Sequence, residues 1–157
     1  MSSPRPRPRP LLLALALAFA APLFACGGAP LGDVRQVPPT ELEIVQGDRL
    51  LATTQASELA AQGRHQVVLR DRTYEGVRLR DVLRGAGVDL DDLRVVEAYG
   101  ADGYRGELTR ELALADSTLV VDQEAGQALS PAHGPLRLIA DDRAASTRAL
   151  RRLRVNP

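Results

Sequence analysis

Ser130 and His133 stand close together in Leu129-Ser130-Pro131-Ala132-His133-Gly134-Pro135, pairing the hydroxyl and imidazole that hydrolases use as nucleophile and base. A working pair also needs an acid to orient the imidazole and donors for an oxyanion. The sequence supplies neither, so hydrolysis is set aside. His133 remains as a ligand contact or pH-sensitive group, against the plainer role of a turn histidine bonded to local backbone. Asp102 and Tyr104 are candidates for a pocket mouth, although Gly100-Ala101-Asp102-Gly103 is also hairpin-turn chemistry. Arg137 alternates with Leu136 and Leu138, which points it off the buried face, either into solvent or onto an anion. Arg148, Arg151, Arg152 and Arg154 form the one dense basic cluster, suited to a phosphate, to an acidic partner, or simply to a solvated face. Asp89, Asp91 and Asp92 are too closely spaced for a calcium loop, lack its distal Glu, and read as a surface connection.

Composition removes whole classes of function. The 20 basic side chains are all Arg and balance 20 acidic ones. Arg5, Arg7 and Arg9 lie in a segment expected to be removed, so the mature protein is net acidic and poorly matched to nucleic acid. Phe19 and Phe24 fall in the same segment and Trp is absent, leaving Tyr74, Tyr99 and Tyr104 as the aromatics. Base-stacking platforms are excluded by that shortage. One Cys rules out a disulfide framework, and one Cys with two His rules out the common four-ligand zinc sites. At 157 residues a single domain is expected.

Residues 1–25 read as an export signal, with Arg and Pro alternating before an apolar run from Leu11 to Ala25. That run falls short of the roughly 20 residues a spanning helix needs, and Pro22 interrupts it. Leu23-Phe24-Ala25-Cys26 resembles the lipobox of bacterial lipoproteins, which implies cleavage before Cys26 and diacylglycerol on its sulfur. Ordinary signal-peptidase cleavage after Ala25 is the rival, disfavoured by the bulk of Leu23. A thioether-linked diacylglycerol with an amide-linked chain anchors stably, since each buried methylene contributes roughly 0.8 kcal/mol. The expected address is the bacterial cell envelope, lipid-anchored and facing the periplasm or exterior, and Gly27 after Cys26 points to the outer membrane by the sorting rule. Residues 26–40, rich in Gly and Pro, are expected to be a flexible tether.

Residues 41–157 should fold around a core of Leu, Val, Ile and Ala. Strands are predicted at Glu41–Val45, Gln66–Leu69, Arg94–Tyr99, Tyr104–Leu108, Ser117–Asp122 and Leu136–Ala140. Short helices are predicted at Gln55–Gln62 with Thr54 as cap, at Leu79–Arg84 burying Leu79, Val82 and Leu83, and at Thr109–Leu114 with Thr109 as cap. Ser146–Val155 is predicted to close the chain as a basic helix turn or an edge strand. Strands and helices mix without strict alternation, so an α+β fold with a mixed β-sheet and short helices is expected.

Three stretches in order carry a resemblance. They are Tyr74-Glu75-Gly76-Val77-Arg78-Leu79-Arg80-Asp81-Val82-Leu83 with Ala86-Gly87-Val88; Ala101-Asp102-Gly103-Tyr104 with Leu108, Leu112, Asp116, Leu119 and Val120; and Leu129-Ser130-Pro131-Ala132-His133-Gly134-Pro135-Leu136-Arg137-Leu138 with the closing Arg148–Val155. Together they resemble the molybdopterin-binding domain of sulfite-oxidase-type oxidoreductases, in the compact form of exported bacterial proteins. Much of the pattern is scaffold: Gly76 is expected to let a strand leave a tight turn, and Pro135 to fix the start of a strand.

The resemblance implies a molybdenum cofactor ligated by a Cys thiolate upstream of Gly76, a soft donor that Asp or Arg cannot replace. Gly63 to Glu75 contains no Cys. The family's Pro-Gly-rich loop and basic-Trp pair near the pterin phosphate are replaced by Ala140-Asp141-Asp142-Arg143-Ala144-Ala145 and Ala149, and the two carboxylates would repel a phosphate. No catalytic or metal-ligating residue is assigned. The expectation is a non-catalytic module, cofactor-free by this chemistry, that binds a small anionic ligand or an envelope protein partner. Asp102, Tyr104, His133, Arg137 and Arg148 are its candidate contacts. The alternative is a molybdenum-cofactor oxidoreductase, or a subunit of one.

Overall fold

The computed structural model describes residues 31–157. The export signal, Cys26 and the first part of the tether lie outside the described residues.

Two five-stranded sheets enclose one main core. The first runs in the order β2 (Arg49–Gln55), β1 (Glu41–Gln46), β10 (Leu150–Asn156), β5 (Val95–Gly100), β6 (Arg105–Thr109). In it β1 and β10 are parallel and every other neighbour is antiparallel. The second sheet is antiparallel, with β3 (His65–Leu69), β4 (Arg72–Arg78) and β7 (Leu119–Glu124) in succession. The far edge of β7 is shared by β8 (Gln127–Ala128) and β9 (Arg137–Ile139). Three short helices, α1 (Ala56–Ala61), α2 (Leu79–Gly85) and α3 (Arg110–Leu114), complete an α+β architecture.

Period-2 burial positions the layers. Leu42 and Ile44 of β1, Val96 and Ala98 of β5 and Leu153 and Val155 of β10 meet Val77, Val120 and Leu138 of the second sheet. Leu119 and Val121 point the other way and join Tyr74, Leu129 and Ile139 in a smaller cluster on the outer face. Strand β7 is therefore buried on both faces, and Tyr74 is the one aromatic side chain buried among the described residues. Helix α2 follows β4 directly, and the Leu79 N–H bond to the Thr118 carbonyl carries the β4–β7 pairing into its first residue. Its Leu79, Val82 and Leu83 fill the core on the predicted face. Thr109 caps α3 by accepting from Leu112 N–H at 3.4 Å, and Thr118 Oγ1 donates to the Leu112 carbonyl at 2.6 Å.

Four expectations are corrected. The C-terminal segment is neither a helix turn nor an edge: β10 is the central strand of the first sheet. A register shift between Leu150 and Arg152 breaks its alternation, so Arg151 and Arg152 are both buried. Arg49–Gln55 is a strand, an exposed partner of β1 behind the turn at Gly47 (φ 58°), and α1 is capped by Gln55 rather than Thr54, with Glu58 closing a capping box. Gly76 lies inside β4, where a β-carbon would collide with the Val120 carbonyl, so its role is close strand approach rather than a turn. The described part of the tether is also packed: Val37 is buried, and Arg151 and Arg152 donate to the carbonyls of Pro39 and Gly32, each at 2.8 Å.

Candidate functional site

A cleft of about 960 Å³ opens where the loops joining both sheets converge. Its first wall comes from the β3–β4 turn, where Arg70 and Asp71 hold positive φ and β4 carries Arg72 and Tyr74 past it. The second is the β5–β6 hairpin. Asp102 Oδ1 accepts from Tyr104 N–H at 3.0 Å, Gly103 takes φ 84°, and the turn chemistry read from the sequence is realised. The third is the 3₁₀ turn Pro131–His133 leading into β9 with Arg137, and the fourth is the loop 141–148 before β10.

These walls are tied to one another. Tyr104 donates its hydroxyl to the Ala144 carbonyl at 2.6 Å, joining the hairpin tip to the last loop. Arg70 reaches across to the Asp141 carbonyl at 3.0 Å. Ala149 N–H bonds the His133 carbonyl at 2.7 Å, which fixes the 3₁₀ turn against the start of β10.

Five guanidiniums line the cleft, those of Arg70, Arg72, Arg137, Arg143 and Arg148, against the carboxylates of Asp102 and Asp142. Nearby, Glu124 is shared: it pairs with Arg72 and stands 3.9 Å from Arg137. Arg137 also stacks 5.5 Å from the centre of the Tyr74 ring, with its side chain only 12% exposed and its buried Nε unpartnered. The cationic excess acts on His133. Burial first, then Arg137 and Arg148, hold its imidazole below the usual range, so that it is neutral at pH 7; Glu124 opposes and Arg72 adds to the effect.

All five ligand-contact candidates from the sequence, Asp102, Tyr104, His133, Arg137 and Arg148, stand around this one cleft. The basic cluster does not stay together. Arg148 faces the cleft, Arg151 and Arg152 clamp the segment before β1, and Arg154 lies 5.9 Å from the Tyr99 ring and 3.6 Å from Asp48. Arg70, Arg72 and Arg143 were missed, because each is an isolated arginine in a turn or strand end with no local pattern. Of the two acids expected to repel a phosphate, Asp141 is engaged by the Ser117 hydroxyl at 2.7 Å and does not line the cleft, while Asp142 caps a local turn at Ala144 N–H. Their repulsion is outweighed by the arginines. Ser130 and His133 are joined through backbone alone, His133 N–H donating to the Ser130 carbonyl at 2.8 Å, and Asp89 serves a local turn by accepting from Asp91 N–H.

A family model described as "oxidoreductase molybdopterin binding domain" matches residues 44–156, and the chain belongs to that family. Among solved structures, the fold matches the crystal structure of the sulfane dehydrogenase SoxCD from Paracoccus pantotrophus with a TM-score of 0.61 and 19% identity. The match covers 83% of this chain and 40% of that one, so this chain spans well under half of that protein's length. No curated protein matches the sequence.

The cleft's donors match only part of what the family's cofactor requires. Arginines suit the phosphate end of a pterin, but every side-chain donor lining the cleft is nitrogen or oxygen. Among the described residues no three His, Cys, Asp or Glu side chains gather as a metal site. The chain's single Cys is Cys26, far upstream in sequence. The cleft fits an anion and does not fit a thiolate-ligated molybdenum.

Proposed function

We propose that this protein is a lipid-anchored component of the bacterial cell envelope whose molybdopterin-binding-type domain binds a small anionic ligand, or a partner presenting one, without redox chemistry. One observation carries the reading: five arginines converge on a cleft of the family's fold that contains no sulfur donor. The anchor is supported by Leu23-Phe24-Ala25-Cys26, and no helix among the described residues is long and apolar enough to cross a membrane. Family membership favours a second reading, a molybdenum-cofactor oxidoreductase or a subunit that borrows its metal ligand from a partner chain.

Activity of the exported full-length protein from a molybdenum-replete host separates the two. The first reading expects no molybdate-dependent turnover with artificial electron donors. Turnover that requires molybdate and disappears in Arg148→Ala would establish the second. For the anchor, Cys26→Ser is expected to release the protein from the membrane fraction, whereas unchanged sedimentation would refute lipidation at that residue.

A further inference from the structure

We infer that the cleft takes a small organic phosphomonoester bearing hydroxyl groups, held by arginines without a metal. This deepens the non-redox reading above and rests on it. Arg143 and Arg148 are exposed, and their guanidiniums make no ion pair or hydrogen bond with the described residues. Arg70 spends one bond on a carbonyl, and Arg137 keeps a buried Nε without a partner. Guanidiniums left uncompensated around one concavity match the several oxygens of a doubly charged tetrahedral group, which planar forks bind in pairs of parallel hydrogen bonds.

Size and the two acids define the rest of the ligand. At about 960 Å³ the cleft lies near the top of the range for small-molecule sites, far more than a bare oxyanion fills. Asp102 and Asp142 each commit Oδ1 to a turn N–H and leave Oδ2 without a protein partner. An ionised carboxylate only accepts, so these free oxygens call for donors such as ligand hydroxyls. They also repel a second anionic group, so the charge belongs at one end of the ligand and the hydroxylated body at the other.

Calorimetric titration of the full-length protein with inorganic phosphate, ethyl phosphate and glycerol 3-phosphate tests this. Saturable binding of all three is expected, with glycerol 3-phosphate roughly fivefold or more tighter than ethyl phosphate, the difference one or two hydroxyl hydrogen bonds make. Arg143→Ala combined with Arg148→Ala should weaken every probe by roughly tenfold or more, since charge-assisted bonds are lost. The unliganded melting temperature should not move, because neither side chain has a protein partner. Asp102→Asn and Asp142→Asn, which keep the turns, should narrow the gap between glycerol 3-phosphate and ethyl phosphate without weakening inorganic phosphate. Binding should also raise the imidazole pKa of His133, followed by NMR, since the anion offsets Arg137 and Arg148. Absence of saturable binding by molybdenum-free protein, or equal binding by the double variant, would overturn this inference alone. Stoichiometric bound molybdenum would overturn the reading beneath it.

Discussion

Gly134 is pressed against Ala149: a β-carbon on Gly134 would stand 2.7 Å from the Ala149 Cα. The contact locks the His133 turn onto the start of β10 and sets the spacing of Arg137 and Arg148 across the cleft. Gly134 also adopts φ 71° and ψ 171°, a conformation open essentially to glycine alone. Gly134→Ala therefore adds backbone strain to a backbone collision, together costing roughly 3 kcal/mol. Urea unfolding should register that loss, and a variant as stable as the parent would show that this packing is not tight.

Arg152 and Glu43 sit opposite each other on the parallel strands β10 and β1, with Arg152 Nη2 2.7 Å from Glu43 Oε2 and the arginine side chain 9% exposed. Breaking such a pair leaves one charge buried alone. Arg152→Leu should cost about 3 kcal/mol, and adding Glu43→Leu should recover most of it. A double variant that unfolds as easily as Arg152→Leu would contradict this coupling.

Arg151 is buried beneath the segment before β1, its guanidinium bonded to the Pro39 carbonyl, and burial lowers its pKa. Arg151→Met keeps the bulk and removes the bond. Hydrogen exchange over residues 33–40 should then quicken by roughly tenfold, while core strands keep their protection. Unchanged exchange there would mean that the arginine does not hold this segment.

His133 gives the fold a pH dependence of definite sign. Its folded-state pKa lies below the usual value, through burial and the cations of Arg137 and Arg148. The stability it contributes is thus present above about pH 6.5, where the unfolded imidazole is also neutral, and is lost as pH falls through that value toward the folded pKa. Unfolding curves between pH 8 and pH 5 should show the parent losing more stability than His133→Gln. Parallel profiles would refute the assignment.

The sequence made the fold class, α2, α3 and the β5–β6 hairpin legible because each rests on local chemistry. Leu79, Val82 and Leu83 share one helix face, Thr109 caps its own helix, and Asp102-Gly103 turns its own chain. What escaped was set by partners distant in sequence. Leu150-Arg151-Arg152-Leu153-Arg154 reads as polar, yet it became central because β1 and β5 flank it, and residues 31–40 and Glu43 satisfy Arg151 and Arg152. Strand β2 has no clean alternation and exists through its pairing with β1. The five candidate contacts stand out singly in the sequence, through turn chemistry, alternation and a basic cluster. That Arg70, Arg72 and Arg143 join them depends on β4 lying beside β7 and on the loop after β9, neither of which leaves a local trace.

The most direct test is metal and pterin analysis of the full-length protein, purified from membranes of cells grown with ample molybdate. Elemental analysis and mass spectrometry should find no stoichiometric molybdenum and no pterin. One equivalent of molybdenum retained through purification would mean that a ligand outside the cleft's nitrogen and oxygen donors completes the site, and the non-redox account would be wrong.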